Sequence, residues 1–135
     1  MSNIVIGEIS CGDQLPELII DITSKLIVAG AIASRDFQDV HHDKDAAQAA
    51  GTPDIFMNIL TTNGLVGRYV TDWAGDNARL KSVSIQLGVP NFPGDRMTFT
   101  GTVVAKDENT VAVEVRGGNR LGDHVTGTVN VELPA

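Results

Sequence analysis

The chain has 135 residues, 42% of them hydrophobic, enough to bury a core within one domain spanning residues 1–135. Seventeen acidic residues against ten basic ones give a net charge of −7, with no lysine or arginine cluster, so the basic face that a nucleic-acid partner requires is missing. The lone cysteine, Cys11, cannot form an internal disulfide, no charged-then-apolar leader opens the chain, and Arg68 and Asp72 interrupt the longest apolar region; a cytoplasmic protein without signal peptide or membrane span is expected.

In chain order, a polar-apolar lead (Met1 to Asp13) is followed by Pro16, which opens the β-branched run Glu17 to Ile22, a predicted strand. Leu26 to Ala33 reads as a second strand or an extension of the first. A polar loop, Ser34 to Asp43, then leads to an alanine-rich helix from Asp43 to Ala50, closed by Gly51 and Pro53. From Asp54 to Trp73 the apolar residues recur at spacings of three and four, which predicts a long helix, slim on its Gly64 and Gly67 sides, with Asp54 set against the positive end of its dipole.

After Gly75 the period changes to two. Val83, Ile85, Leu87 and Val89 form one apolar face, as do Met97, Phe99, Gly101 and Val103; Val111, Val113 and Val115; and Val125, Gly127, Val129, Val131 and Leu133. Turn chemistry separates these runs at Pro90 to Asp95, at Asp107 to Asn109, and from Gly117-Gly118 through Leu121-Gly122-Asp123, so a four-stranded meander is expected. The fold class is therefore α+β, an antiparallel sheet wrapped around one long helix, with half-polar edges that favour association over a freestanding monomer.

The polar loop carries the chemistry. Asp36 precedes His41 by five residues, and on a loop between rigid elements the two can face one pocket as an acid/base pair. Asp43 reads as the cap of the following helix, and His42 as an ordinary loop residue. A metal at His41-His42-Asp43 is not expected, because adjacent histidines rarely point the same way and no further ligand cluster appears. His124 reads as a hairpin side chain, Tyr69 and Trp73 as core or interface, and Cys11 as unreactive; the scattered arginines 35, 68, 79, 116 and 120 offer no obvious choice for an anionic ligand.

Three stretches together resemble the hot-dog fold of the MaoC-type, (R)-specific enoyl-CoA hydratases: Asp36 to Asp43, with Asp, four residues, His, one residue, Asp; Pro90-Asn91-Phe92-Pro93-Gly94-Asp95; and Asn119 to Val125. The runs Arg35 to Asp43, Asp54-Ile55-Phe56, Asn58 to Thr61 and Arg68 to Gly75 further resemble the small MaoC-like subunit of actinobacterial steroid side-chain hydratases. The resemblance implies Asp36 and His41 as catalytic residues, a steroidal 2-enoyl-CoA as substrate, no cofactor beyond the substrate's own CoA, and a second MaoC-like subunit, or else a second copy of the chain, as partner. Two departures stand out. Gln38-Asp39 replaces the family's Asn-Pro before the histidine, and Phe56-Met57-Asn58 replaces the His-Gly whose glycine N–H is the family's oxyanion donor, so the amide of Met57 or Asn58 is expected to serve. A hot-dog thioesterase, with Asp54 or Asp72 as its carboxylate, and a non-catalytic subunit are the alternatives.

Overall fold

A computed structural model describes residues 3–135; the first two residues of the polar lead lie outside them. Five strands, β1 (Gln14–Asp21), β2 (Arg79–Leu87), β3 (Arg96–Asp107), β4 (Thr110–Asn119) and β5 (Gly122–Glu132), form one antiparallel sheet in the order β1-β3-β4-β5-β2. Three α-helices, α1 (Ser24–Ala33), α2 (Lys44–Ala49) and α3 (Ile59–Ala74), and a 3-10 turn, Asp39–His41, lie in the interval between β1 and β2 among the described residues. α3 packs against β1, β2 and β5, and its Val66, Tyr69 and Val70 join Met97, Phe99, Val113 and Val129 in the core. The Tyr69 ring stacks on Phe99 at 5.2 Å, and its hydroxyl donates to Pro16 O at 2.8 Å. Burial pushes the Tyr69 phenol up to about 12.

The period-two reading of β3 and β4 holds side chain by side chain. Met97, Phe99, Gly101 and Val103 are buried, with Thr98, Thr100 and Thr102 turned outward, and Val111, Val113 and Val115 repeat the pattern. The expected simple meander is corrected. β3, β4 and β5 are sequential neighbours, whereas β2 pairs with β5 and β1 with β3. The Pro90 to Asp95 segment thus joins strands three places apart, about 14 Å at ordinary strand spacing, and has to cross one end of the molecule.

Leu26 to Ala33 is helix α1 and not a strand. Its side chains are apolar on every face, so neither period dominates; the deciding feature is Thr23, whose hydroxyl accepts from Leu26 N at 3.0 Å and caps the first turn. Gly30 lets α1 cross α3 closely, since a Cβ there would fall on the Thr61 side chain. The long helix begins at Ile59 and not at Asp54, because Asn58 takes the N-cap and Asp54 to Met57 run without helical structure. Asp54 consequently sits away from the helix dipole, accepting from its neighbour Ile55 N at 2.7 Å and lying 3.9 Å from Lys44. The short helix α2 starts as expected, with Asp43 as its N-cap accepting from Asp45 N and Ala46 N.

Gly117-Gly118, expected in a turn, lie within β4. A Cβ at Gly117 would stand 2.9 Å from Val125, 3.0 Å from Phe99 and 3.1 Å from Met97, so the glycine is there to admit core side chains rather than to bend the chain. We expect Gly117→Ala to cost about 1–3 kcal/mol by overpacking, read as a lower urea midpoint with an unchanged slope.

Candidate active site

The loop after α1 is aimed by a Schellman ending: Asp36 N donates to Ala31 O at 2.8 Å and Arg35 N to Ile32 O at 3.0 Å. This ending requires a left-handed residue, and Arg35 supplies it at φ 59°, a position that usually belongs to glycine. Strain of this kind persists where the surroundings fix the chain, and the next residue is Asp36.

Asp36 and His41 meet. The Asp36 Oδ2 to His41 Nε2 distance is 3.4 Å, with His41 buried and Asp36 half-buried. His41 Nδ1 lies 2.7 Å from Phe56 O, and since a carbonyl only accepts, Nδ1 carries the proton. In the neutral ring Nε2 is then an unprotonated acceptor pointing at the carboxylate. The Phe56 ring meets the imidazole edge to face at 5.0 Å and fixes its plane. His42 also turns back to this residue, its Nε2 donating to Asp36 O at 2.9 Å, so the adjacent histidines do converge, one on the side chain and one on the main chain. Among the described residues no group of three or more His, Cys, Asp or Glu side chains could hold a metal ion.

Asn58 closes the site from the α3 side. Its Oδ1 accepts from Thr61 N at 3.2 Å, capping the helix, while its Nδ2 lies 3.1 Å from Asp36 Oδ2 and 2.9 Å from Ser34 Oγ. This amide, together with Gln38 N at 3.3 Å from Oδ1, holds the Asp36 carboxyl below the usual carboxylate range. Of the two main-chain amides expected as oxyanion donors, Met57 N–H already donates to Asn91 O at 3.1 Å. Asn58 N–H, at the mouth of the helix, makes no such bond among the described residues.

His41, Phe56, Met57, Asn58 and Ile59 form one wall of a cavity of about 180 Å³; Leu87, Gly88, Val89, Pro90 and His124 form the other. Larger hollows lie on the outer face of the sheet, among Thr100, Thr102, Glu114 and Arg116, but they contain no acid/base pair. His124, read from the sequence as a hairpin side chain, is 2% exposed and lines this cavity. Its Nδ1 donates to Val89 O at 2.6 Å and its Nε2 accepts from Thr62 Oγ1 at 2.8 Å, which ties β5 and the β2 end to α3. No local pattern marks this role, because both partners are distant in sequence. Asp72 is exposed beside Arg68 and Asp54 lies by Lys44; neither thioesterase candidate lines this cavity, and of the Asp36–His41 pair His41 is the member that does. Tyr69 and Trp73 pack in or against the core, and Cys11 is exposed with a free thiol.

A family model described as "MaoC like domain" matches residues 12–134. The chain belongs to that family. It is 53% identical over 122 residues, 90% of this chain and 95% of the relative, to the 3-oxo-4,17-pregnadiene-20-carboxyl-CoA hydratase beta subunit of Mycobacterium tuberculosis. Among solved structures, a chain of the ChsH1-ChsH2 complex from Mycobacterium tuberculosis superimposes with a TM-score of 0.90 at 52% identity, covering 92% of this chain and 98% of that one. The (R)-hydratase from A. caviae involved in PHA biosynthesis matches at a TM-score of 0.85 and 22% identity over 93% of this chain and 98% of that one, a likeness of fold alone. The hot-dog architecture of the MaoC-like relatives is thus the architecture of this chain.

Burial pushes the His124 imidazole down from its ordinary value, so the folded protein keeps it neutral. The unfolded chain takes up that proton near pH 6.5, which lowers stability as pH falls below about 6.5 toward the depressed folded value. We expect the denaturation midpoint to drop less between pH 7.5 and 5.5 in His124→Gln than in the parent, although the variant starts from a lower stability.

Proposed function

We propose that this MaoC-like chain, acting as one domain, is an enoyl-CoA hydratase subunit that adds water across the 2,3 double bond of a CoA thioester. Asp36 and His41 are its catalytic pair. The observation that carries the reading is His41 Nε2 facing the Asp36 carboxylate across 3.4 Å, with His41 itself on the cavity wall; in the neutral ring, with Nδ1–H on Phe56 O, Nε2 is an acceptor. Two acceptors so close are served by one shared proton donor, and a water can donate to both while its oxygen stays open to attack. The water oxygen bonds to Cβ, the pair takes its proton, and a proton is returned to Cα, so the sum is addition of one water with no cofactor beyond the substrate's own CoA. Negative charge rising on the thioester oxygen meets the Asn58 N–H at the positive end of α3. Met57 N–H, held by Asn91 O, is left out of this step.

The acyl group is proposed to be a steroid side chain, supported by the relative that acts on 3-oxo-4,17-pregnadiene-20-carboxyl-CoA. A cavity of about 180 Å³ is below the roughly 300–1,000 Å³ of ordinary ligand sites and cannot enclose a ring system. Beside it Ile59 and Leu87 are 51% and 39% exposed, and Phe37 on the catalytic loop is 67% exposed. An incomplete cavity with an apolar rim supports a second MaoC-like subunit as partner, in a heteromer of the kind the ChsH1-ChsH2 complex represents, in preference to a second copy of this chain. No helix among the described residues is long and apolar enough to cross a membrane, and a cytoplasmic setting fits a reaction on CoA thioesters.

The test is mass spectrometry on a steroidal 2-enoyl-CoA incubated with the chain, alone and with its MaoC-like companion. A product heavier by one water, CoA still attached, is expected with the companion present; free CoA would mean a thioesterase. Asp36→Asn is expected to lower turnover about a hundred- to ten-thousand-fold at unchanged fold, and full activity in that variant would leave the chain as a non-catalytic subunit.

A further inference from the structure

The stretch Phe56-Met57-Asn58, where the resemblance leads one to expect His-Gly, ends in a side chain that is spent entirely inside the site. Asn58 is 2% exposed. Its Oδ1 receives Thr61 N at 3.2 Å and Thr61 Oγ1 at 2.5 Å, and its Nδ2 reaches Ser34 Oγ at 2.9 Å and Asp36 Oδ2 at 3.1 Å. The Ser34 hydroxyl in turn donates back to Gly30 O at 2.7 Å, so the amide is held from both ends. Its orientation is therefore unambiguous: with Oδ1 committed to the helix N–H, only the NH₂ can face the carboxylate.

We propose that Asn58 is a positioning residue for the hydration, its side-chain amide fixing Asp36 Oδ2 opposite His41 while its main-chain N–H faces the thioester oxygen. The proposal rests on the catalytic reading of Asp36 and His41. A single residue thereby sets the distance between the water-holding carboxylate and the oxyanion donor, which are otherwise carried by separate elements, the loop after α1 and the start of α3. Asn58 is the foremost cause of the depressed Asp36 carboxyl, ahead of the Gln38 amide and the two histidines. The charged and titratable groups around Asp36 are His41 and His42 from its own loop and its exposed neighbour Arg35; from α3 the contact is the neutral amide alone.

Asn58→Asp separates the two duties of the side chain. The new carboxylate still caps α3, since aspartate is as good an N-cap as asparagine, but it offers Asp36 a second anion in place of a donor. Asn58→Ser, also a good cap with a hydroxyl too short to serve both contacts, is the companion should the aspartate variant fold poorly. The first readout is the Asp36 side-chain ¹³C titration, which needs no turnover; the second is the pH profile of kcat/KM for a steroidal 2-enoyl-CoA with the companion subunit present. We expect the Asp36 titration and the acidic limb of the profile to move up together by about one unit or more, and kcat to fall about ten- to a hundredfold from misplacement, with the thermal midpoint within a few degrees of the parent. An unmoved Asp36 titration and parental kcat in both folded variants, with Asp36→Asn inactive, overturn the positioning role and leave the hydratase reading standing. Full activity in Asp36→Asn overturns both.

Discussion

The N-cap of α3 is the joint on which the rest of the molecule depends. Asn58 accepts the orphan Thr61 N–H that every helix start must satisfy, and in doing so it sets where the helix begins, which way its first amides point and which atoms face Asp36. One residue earlier, Met57 N donates to Asn91 O, which binds the same start to the long link between β2 and β3. That link is anchored in turn by Asn119, whose amide reaches Pro90 O and Asn91 Oδ1, and by Asp95, which receives Phe92 N and pairs with Arg120. Without this chain of bonds the loop bearing Asp36 and His41 would have nothing fixed to face.

The electrostatics of the site follow from the same joint. Asp36 is held below the usual carboxylate range because donors surround it, whereas His124 is held below its ordinary value because burial outweighs the opposing effect of its bond to Val89 O. The His41 tautomer is assigned by Phe56 O, a main-chain carbonyl whose place depends on the segment entering α3. Two histidines line the cavity and do unlike work: one presents a free acceptor, the other joins β5 to the central helix. Their difference lies in their partners.

What the chain does not build for itself is an enclosed site. His41, paired with Asp36, lines a shallow cavity with exposed apolar side chains beside it, and β2, at one edge of the sheet, keeps only Val83 and Ile85 half-buried. An exposed edge beside an incomplete pocket is the physical form of a subunit, because a second chain removes both costs at once.

Much of this was legible in the sequence. The alternation of Met97, Phe99 and Val103 and of Val111, Val113 and Val115 determined strands and their buried faces, since period two is a local property of an extended chain. The pairing of Asp36 with His41 was legible from spacing once the family turns stood beside it. Only the tertiary structure decided that Leu26 to Ala33 is helical, since a segment apolar on all sides satisfies either period and its fate rests on Thr23 and on the Gly30 crossing with α3. Only it decided that Gly117 belongs in a strand, that β2 lies beside β5, and that His124 lines the cavity, for each depends on partners far away in the chain. The difference is one of range: periodicity and capping residues are written within a few neighbours, whereas strand order, burial and the meeting of loop with helix start are set by contacts across the whole fold.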